Sequence, residues 1–120
     1  MARPNWKVIL ARTLGPGVRD TEFCQELDRF LGCLRGEGRI RAHRITRRKP
    51  GFGPPSLGEF QVEIEVADLP QLDAALRRVA AREGEIESLH AAVNSKAHNA
   101  TSALYRDFPD DFRARGEEKL

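Results

Sequence analysis

The chain has 120 residues, enough for one domain with a modest core. Its 40% hydrophobic and 32% charged residues are those of a globular protein, not of a disordered tail or a disulfide scaffold. Twenty Lys and Arg against 18 Asp and Glu leave a net charge of +2, too even for a partner held by its phosphate backbone. No apolar run has bilayer length, no h-region follows the first residues, and there are 2 cysteines. These features point to a cytoplasmic protein with neither membrane nor nucleic acid as partner.

The first predicted element is a strand over Trp6 to Leu14, ended by the turn residues Gly15-Pro16-Gly17. Its apolar residues lie on both parities, Trp6, Val8 and Leu10 on one and Ile9 and Ala11 on the other. Such a strand is usually covered on both faces. A helix follows, with Asp20 as the expected N-cap and a stripe of Phe23, Leu27, Phe30, Leu31 and Leu34; Gly36 and Gly38 supply its stop. Ile40 to Lys49 is short and crowded with Arg, and its alternation slips between Ala42 and Ile45. That predicts an edge strand with a bulge. The Gly/Pro-rich run Pro50 to Gly58 reads as a mobile hairpin tip that could cover a cavity mouth.

Glu59 to Val66 has the cleanest pattern, with Phe60, Val62, Ile64 and Val66 alternating with Glu59, Gln61, Glu63 and Glu65. Asp68-Leu69-Pro70-Gln71 opens a second helix through a capping box, with Leu69, Leu72, Leu76 and Val79 as its expected buried stripe and Gly84 closing it. A weaker helical stretch runs through Ile86, Leu89 and Val93 to about Lys96. A fourth strand is expected over Ala100 to Phe108. Residues 1–109 form the domain, and 110–120 read as a charged, frayed tail.

The order β-α-β-β-α-(short α)-β predicts an α+β fold, a ferredoxin-like βαββαβ sandwich with a four-stranded antiparallel sheet and helices on one face. The first and third strands are placed side by side and parallel, with the second and fourth at the edges. One face of the sheet then lacks helices, and one apolar parity of the first strand would lie there. A second copy packing sheet against sheet is the expected cover, giving a homodimer and, with it, a pairing as a dimeric α+β barrel. The acidic residues of the third strand would line or rim a partly polar cavity between the sheets, with edge-strand Arg residues as counter-charges.

Several runs carry a resemblance: Ile45-Thr46-Arg47-Arg48-Lys49, Gly53-Pro54-Pro55, Leu57-Gly58-Glu59-Phe60, Leu72-Asp73-Ala74-Ala75, Leu89-His90-Ala91-Ala92-Val93-Asn94-Ser95 and Ala103-Leu104-Tyr105-Arg106-Asp107-Phe108-Pro109. Together with the element order, they resemble the dimeric α+β barrel superfamily and, within it, a family of small bacterial proteins of no assigned activity. The resemblance implies the fold. Superfamily relatives include cofactor-free oxygenases, isomerases, lyases and ligand-binding proteins, so function rests on the site.

Candidate catalytic residues are His43 and His90. His90 and Asn94 are four apart on one helix and could face a cavity as proton acceptor and orienting amide; the plainer reading is that both decorate an amphipathic turn. His43 lies among Arg44, Arg47 and Arg48, a surrounding expected to favour the neutral imidazole of a general base; a solvated edge without chemistry is the plainer alternative. A small organic anion between sheet and helices would be held by Arg44 or Arg47, with Asn94 and Tyr105 beside it. Tyr105 and Asp107 share a parity and could reach the same cavity. His98 is expected beyond the helix exit, so a His-Asn-His stripe is not expected.

Cys24 and Cys33 lack His neighbours and read as small core residues. No metal-site spacing is present, and no cofactor is expected. Base stacking on the third strand is disfavoured, because its polar face carries Glu59, Glu63 and Glu65. Three functions stay open: a ligand-binding homodimer, a cofactor-free monooxygenase- or isomerase-like enzyme, and a non-catalytic structural or interaction module.

Overall fold

The computed structural model describes residues 5–109. The elements are β1 (Trp6–Leu14), α1 (Asp20–Gly36), β2 (Ala42–Arg47), a 3-10 turn at Pro55–Leu57, β3 (Phe60–Val66), α2 (Leu69–Ala80), α3 (Gly84–Asn94) and β4 (Ala97–Arg106). The sheet order is β2-β3-β1-β4, which puts the two apolar strands at the centre and the expected strands at the edges. Every pair is antiparallel, including β1 with β3, where a parallel pair was expected. The helical crossover from β1 makes β2 parallel to β1 but one position removed. The slot between them is filled by β3, which returns from β2 and so opposes both neighbours.

The bulge expected on β2 is on β4 instead, where Asn99 and Ala100 face Arg12 alone. β2 pairs with β3 without interruption from Ala42 to Arg47, whereas the β1–β4 register shifts between Ala11 and Thr13. The apparent slip in β2 arises because His43, a polar residue, takes the inward parity with Ile45, while Ala42 points out. β4 begins at Ala97 rather than Ala100, and Asn99 near the shift takes φ 56°, a left-handed conformation that Asn tolerates where a strand absorbs an extra residue.

In α1 the expected stripe of Phe23, Leu27, Phe30, Leu31 and Leu34 is buried. Asp20 is the first helical residue and Arg19 the N-cap, so the expected cap is displaced by one; Asp20 Oδ1 accepts from the Thr21 N–H at 2.7 Å. The helix ends with Gly38 at φ 74°, its N–H donating to Arg35 O and the Arg39 N–H to Leu34 O, the pairing of a Schellman stop. α2 starts as predicted: Asp68 Oδ1 accepts from the Gln71 N–H at 2.8 Å, and Gln71 Oε1 accepts from the Ala67 N–H at 2.7 Å.

The inward face of α2 differs from the expected stripe. Ala75 is its buried residue, Leu72 and Val79 are half-buried, and Leu69 and Leu76 are exposed. α3 is a full helix and ends at Asn94, two residues before Lys96.

The core joins the α1 stripe to Phe60, Val62 and Val66 of β3 and to Ile86 and Val93 of α3. The Phe23 and Phe60 rings stand 5.3 Å apart. Phe23, Leu31, Ile86, Val62 and Val66 are fully buried, each contributing about 1.5–3 kcal/mol relative to exposure. Register turns Trp6, Val8, Leu10, Arg12 and Leu14 toward the helices and Lys7, Ile9, Ala11 and Thr13 away. The open face also carries Arg44, Gln61, Glu63, Glu65, Thr101, Ala103 and Tyr105. It is therefore mixed, less apolar than expected: its grease is Ile9, Ala11, Ala103 and the Tyr105 ring, while Trp6 turns inward. No helix among the described residues is long and apolar enough to cross a membrane. The expected tail, 110–120, lies outside the described residues.

Candidate functional site

The small side chain of Ala75 is where α2 comes closest to the core, and the larger residues around it leave space between helices and sheet. That space is a chamber of about 420 Å³, within the usual range of ligand pockets. Val8 and Leu10 of β1 and Ile64 of β3 form its floor. Residues of α1 and α2, among them Phe30, Leu34, Leu72 and Val79, form its roof. Toward β4 it opens between Leu76 and Leu104, which are 60% and 45% exposed. Ser102 and Leu104 point to the helix side by register yet remain exposed, so the mouth is an apolar lip in water. Among the described residues that line the chamber, only His90 and Ser102 have polar side chains, and His90 alone carries an ionisable group.

A smaller annex of about 80 Å³ adjoins the chamber, sharing Leu10, Phe30, Leu31, Ile64 and His90 with it and adding Arg12 and Asn94. His90 thus stands at the junction. Its ring packs against Phe30 at 5.3 Å and its nitrogens have no hydrogen-bond partner among the described residues. Arg12 Nη2 donates to Ala97 O at 2.6 Å and to Asn94 Oδ1 at 3.3 Å, while its Nε is buried without a partner. Burial holds the Arg12 guanidinium below its ordinary value. The arrangement puts an imidazole, a proton acceptor, and a guanidinium, a group suited to a negative oxygen, in the lining of one annex.

Of the residues singled out from sequence, the structure brings His90 and Asn94 together, one turn apart on α3. The others stand elsewhere. His43 turns inward from β2, with Nε2 2.7 Å from Asp28 Oδ1 and Nδ1 buried without a partner. The group touching the ring is a carboxylate, which corrects the expected basic surrounding. Arg47 Nη1 donates to Asp20 Oδ2 at 2.7 Å, closing β2 onto α1. Arg44 faces the open side directly opposite Glu63, the cross-strand counter-charge that was expected. Tyr105 is exposed on the same side.

Neither Arg44 nor Arg47 lines the chamber or the annex, so the expected clamp does not form there. Asp107 accepts from the Asn5 N–H at 3.0 Å. His98 lies on β4 opposite Thr13, off the α3 face. The free Cys24 and Cys33 are half-buried on α1. Burial pushes both thiols up, helped by Asp20 at Cys24 and by Glu85 and Glu37 at Cys33. The Gly/Pro loop is pinned by Arg48 Nη1, which donates to Pro54 O and Gly58 O; none of its residues lines the chamber. No cluster of three His, Cys, Asp or Glu able to hold a metal ion occurs among the described residues.

Arg12 was not singled out from sequence. Its signal was a charge at the end of an apolar parity, after Trp6, Val8 and Leu10.

The architecture is that of the ferredoxin-like fold. A mutant of SnoaB, described as a cofactor-independent oxygenase from Streptomyces nogalater, is similar at TM-score 0.64 and 12% identity, over 91% of this chain and 100% of that one. A dimeric protein of unknown function and ferredoxin-like fold from Bacteroides fragilis is similar at TM-score 0.57 and 15% identity, over 86% and 96%. An ethyl tert-butyl ether D family protein from Bacillus halodurans is similar at TM-score 0.55 and 15% identity, over 86% and 98%. At these identities the likeness carries the fold alone. No curated protein matches the sequence. Residues 9–120 match a family of unknown function (DUF6614), and the chain belongs to that family.

Proposed function

We propose that the chain binds a small, mostly apolar organic anion in the chamber between helices and sheet, and that it does so as a homodimer joined through the open sheet faces. One observation carries the binding site: a ligand-sized apolar chamber with His90 as the sole ionisable residue among the described residues that line it. An apolar body would displace water from Val8, Leu72 and Val79, and its polar end would point inward to His90. For the homodimer, the support is the contiguous patch of Ile9, Ala11, Ala103 and Tyr105, which charges surround on β2 and β3, and the dimeric state of similarly folded proteins.

The test is titration of 1-naphthoate into the wild type and into Ala75→Leu, whose added methyl groups fill the chamber from α2. The wild type is expected to bind with perturbed resonances for His90 and Leu104. Ala75→Leu is expected to lose binding about tenfold or more, because the larger side chain occupies the chamber, with circular dichroism confirming that the variant stays folded. Unchanged affinity in Ala75→Leu would place the ligand elsewhere.

A catalytic reading of the same site is favoured by the unpartnered His90 ring and Arg12 both lining the annex. His90 would take a proton from an O–H or an acidic C–H of the bound molecule, and Arg12 would stabilise the oxygen anion left behind. An activity lost in His90→Gln, with binding retained, would separate this reading from binding alone.

A further inference from the structure

Arg12 is an unusual residue for its place. It ends the inward parity of a central strand, where Trp6, Val8 and Leu10 precede it, and it has no acidic partner among the described residues. Its neighbours take up only Nη2: the Ala97 carbonyl at 2.6 Å and the Asn94 amide oxygen at 3.3 Å. Both are neutral acceptors, so the charge itself is uncompensated, and the buried Nε has nothing to donate to. Arg12 is partly exposed as a residue, so water shields part of its charge, but no anion of the described residues pairs with it. The two neutral acceptors also fix its plane, so a ligand would meet a donor already oriented.

We infer that Arg12 is the group that selects an anion over a neutral molecule in this protein, its guanidinium, which lines the annex, facing a carboxylate or enolate oxygen there while the apolar remainder of the ligand runs outward to the Leu76–Leu104 lip. The inference rests on the chamber reading above and adds the orientation and the charge of the ligand. His90, shared between chamber and annex, lies between the two ends and meets the atoms next to the anionic group. Asn94 is a positioning residue, acting through the Arg12 Nη2 contact. The depressed proton affinity of Arg12 agrees with a site that lacks a compensating anion of its own.

The experiment compares 1-naphthoate with its neutral isostere 1-naphthamide, by calorimetric titration of the wild type and of Arg12→Gln, with folding checked by circular dichroism. The wild type is expected to prefer the carboxylate roughly tenfold or more, and Arg12→Gln to reduce that preference to about twofold while binding the amide nearly as the wild type does. In the wild type, the Arg12 guanidinium resonances should move with the carboxylate and stay with the amide, a readout that survives if Arg12→Gln does not fold. Equal binding of both compounds by the wild type would overturn the role of Arg12 and leave the chamber reading standing. A preference that persists in Arg12→Gln, or unmoved guanidinium resonances, would also overturn it. Failure of both compounds to bind would remove the chamber reading itself.

Discussion

Arg12 Nη2 donates to the carbonyl oxygen of Ala97 at 2.6 Å, tying the inner side of β1 to the first residue of β4 just past the end of α3. The contact is part-buried, whereas the companion bond to Asn94 Oδ1 is exposed and longer, at 3.3 Å. Truncating Arg12 leaves a part-buried carbonyl without its donor. Arg12→Ala is therefore expected to cost about 1–3 kcal/mol, and Asn94→Ala less than about 1 kcal/mol. Urea unfolding of both variants checks this, and an Asn94→Ala cost as large as that of Arg12→Ala would contradict it.

Much of this framework was legible in the sequence because hydrophobic periodicity reports which face of an element is buried. The α1 stripe from Phe23 to Leu34 and the alternation from Phe60 to Val66 carried the two layers of the core. What periodicity could not show was depth. Leu69, Leu72, Leu76 and Val79 look equivalent on a helical wheel, yet α2 approaches the core at Ala75, and only that offset creates the chamber. Distance across the fold was equally hidden: His43 and Arg47 share a strand with Arg44, but inward parity turns the first two onto α1 carboxylates. His90 and Asn94 were legible as a pair because a helix converts four-residue spacing into proximity. Their third member, Arg12, is 82 residues from Asn94 along the chain.

The parity of β4 gives a prediction about assembly. Ala103 points to the open face opposite Ile9, and Leu104 points to the chamber mouth opposite Val8. Sedimentation equilibrium of the wild type should give twice the chain mass. Ala103→Glu should weaken that association by about a hundredfold, since it sets an unpaired carboxylate in the apolar part of the patch. Leu104→Glu, one residue on, should leave the mass unchanged and weaken 1-naphthoate binding instead. Equal effects of the two substitutions on mass would show that the open face is not where the copies meet.

Glu37 links the end of α1 to α2 and should carry a pH signature. Its Oε1 accepts from Arg39 Nε at 3.1 Å and from Arg78 Nε at 3.0 Å, and these two hydrogen bonds hold its carboxyl below the usual carboxylate value. The stabilisation is present at pH above that usual value, about 4.3, and is lost as pH falls through the lower value of the folded state. Glu37→Gln should melt below the wild type at neutral pH, by a small margin because the site is at the surface. The two melting curves should converge as pH falls through the lower folded-state value. A gap that stays constant across this range would mean that the charge of Glu37 contributes nothing.

Two glycines should respond to alanine with opposite signs. Gly58 enters β3 at φ 79°, beside the central strand. A Cβ there would stand 3.1 Å from Ala11 Cβ and 3.3 Å from the Arg12 nitrogen, while the next residue, Glu59, donates its N–H to Arg12 O at 3.0 Å and prevents the strands from parting. Gly58→Ala meets both a left-handed backbone and a crowded wall, and is expected to cost about 1–2 kcal/mol or more. Gly32 is in the interior of α1 on its exposed side, with nothing within 4 Å of an added Cβ. Gly32→Ala removes the entropy of a helical glycine and should gain about 0.5–1 kcal/mol. For a domain of this size each kcal/mol moves the melting temperature by roughly 4–8 °C, so thermal scans resolve both signs. A stabilised Gly58→Ala would mean that the loop before β3 is not seated against β1.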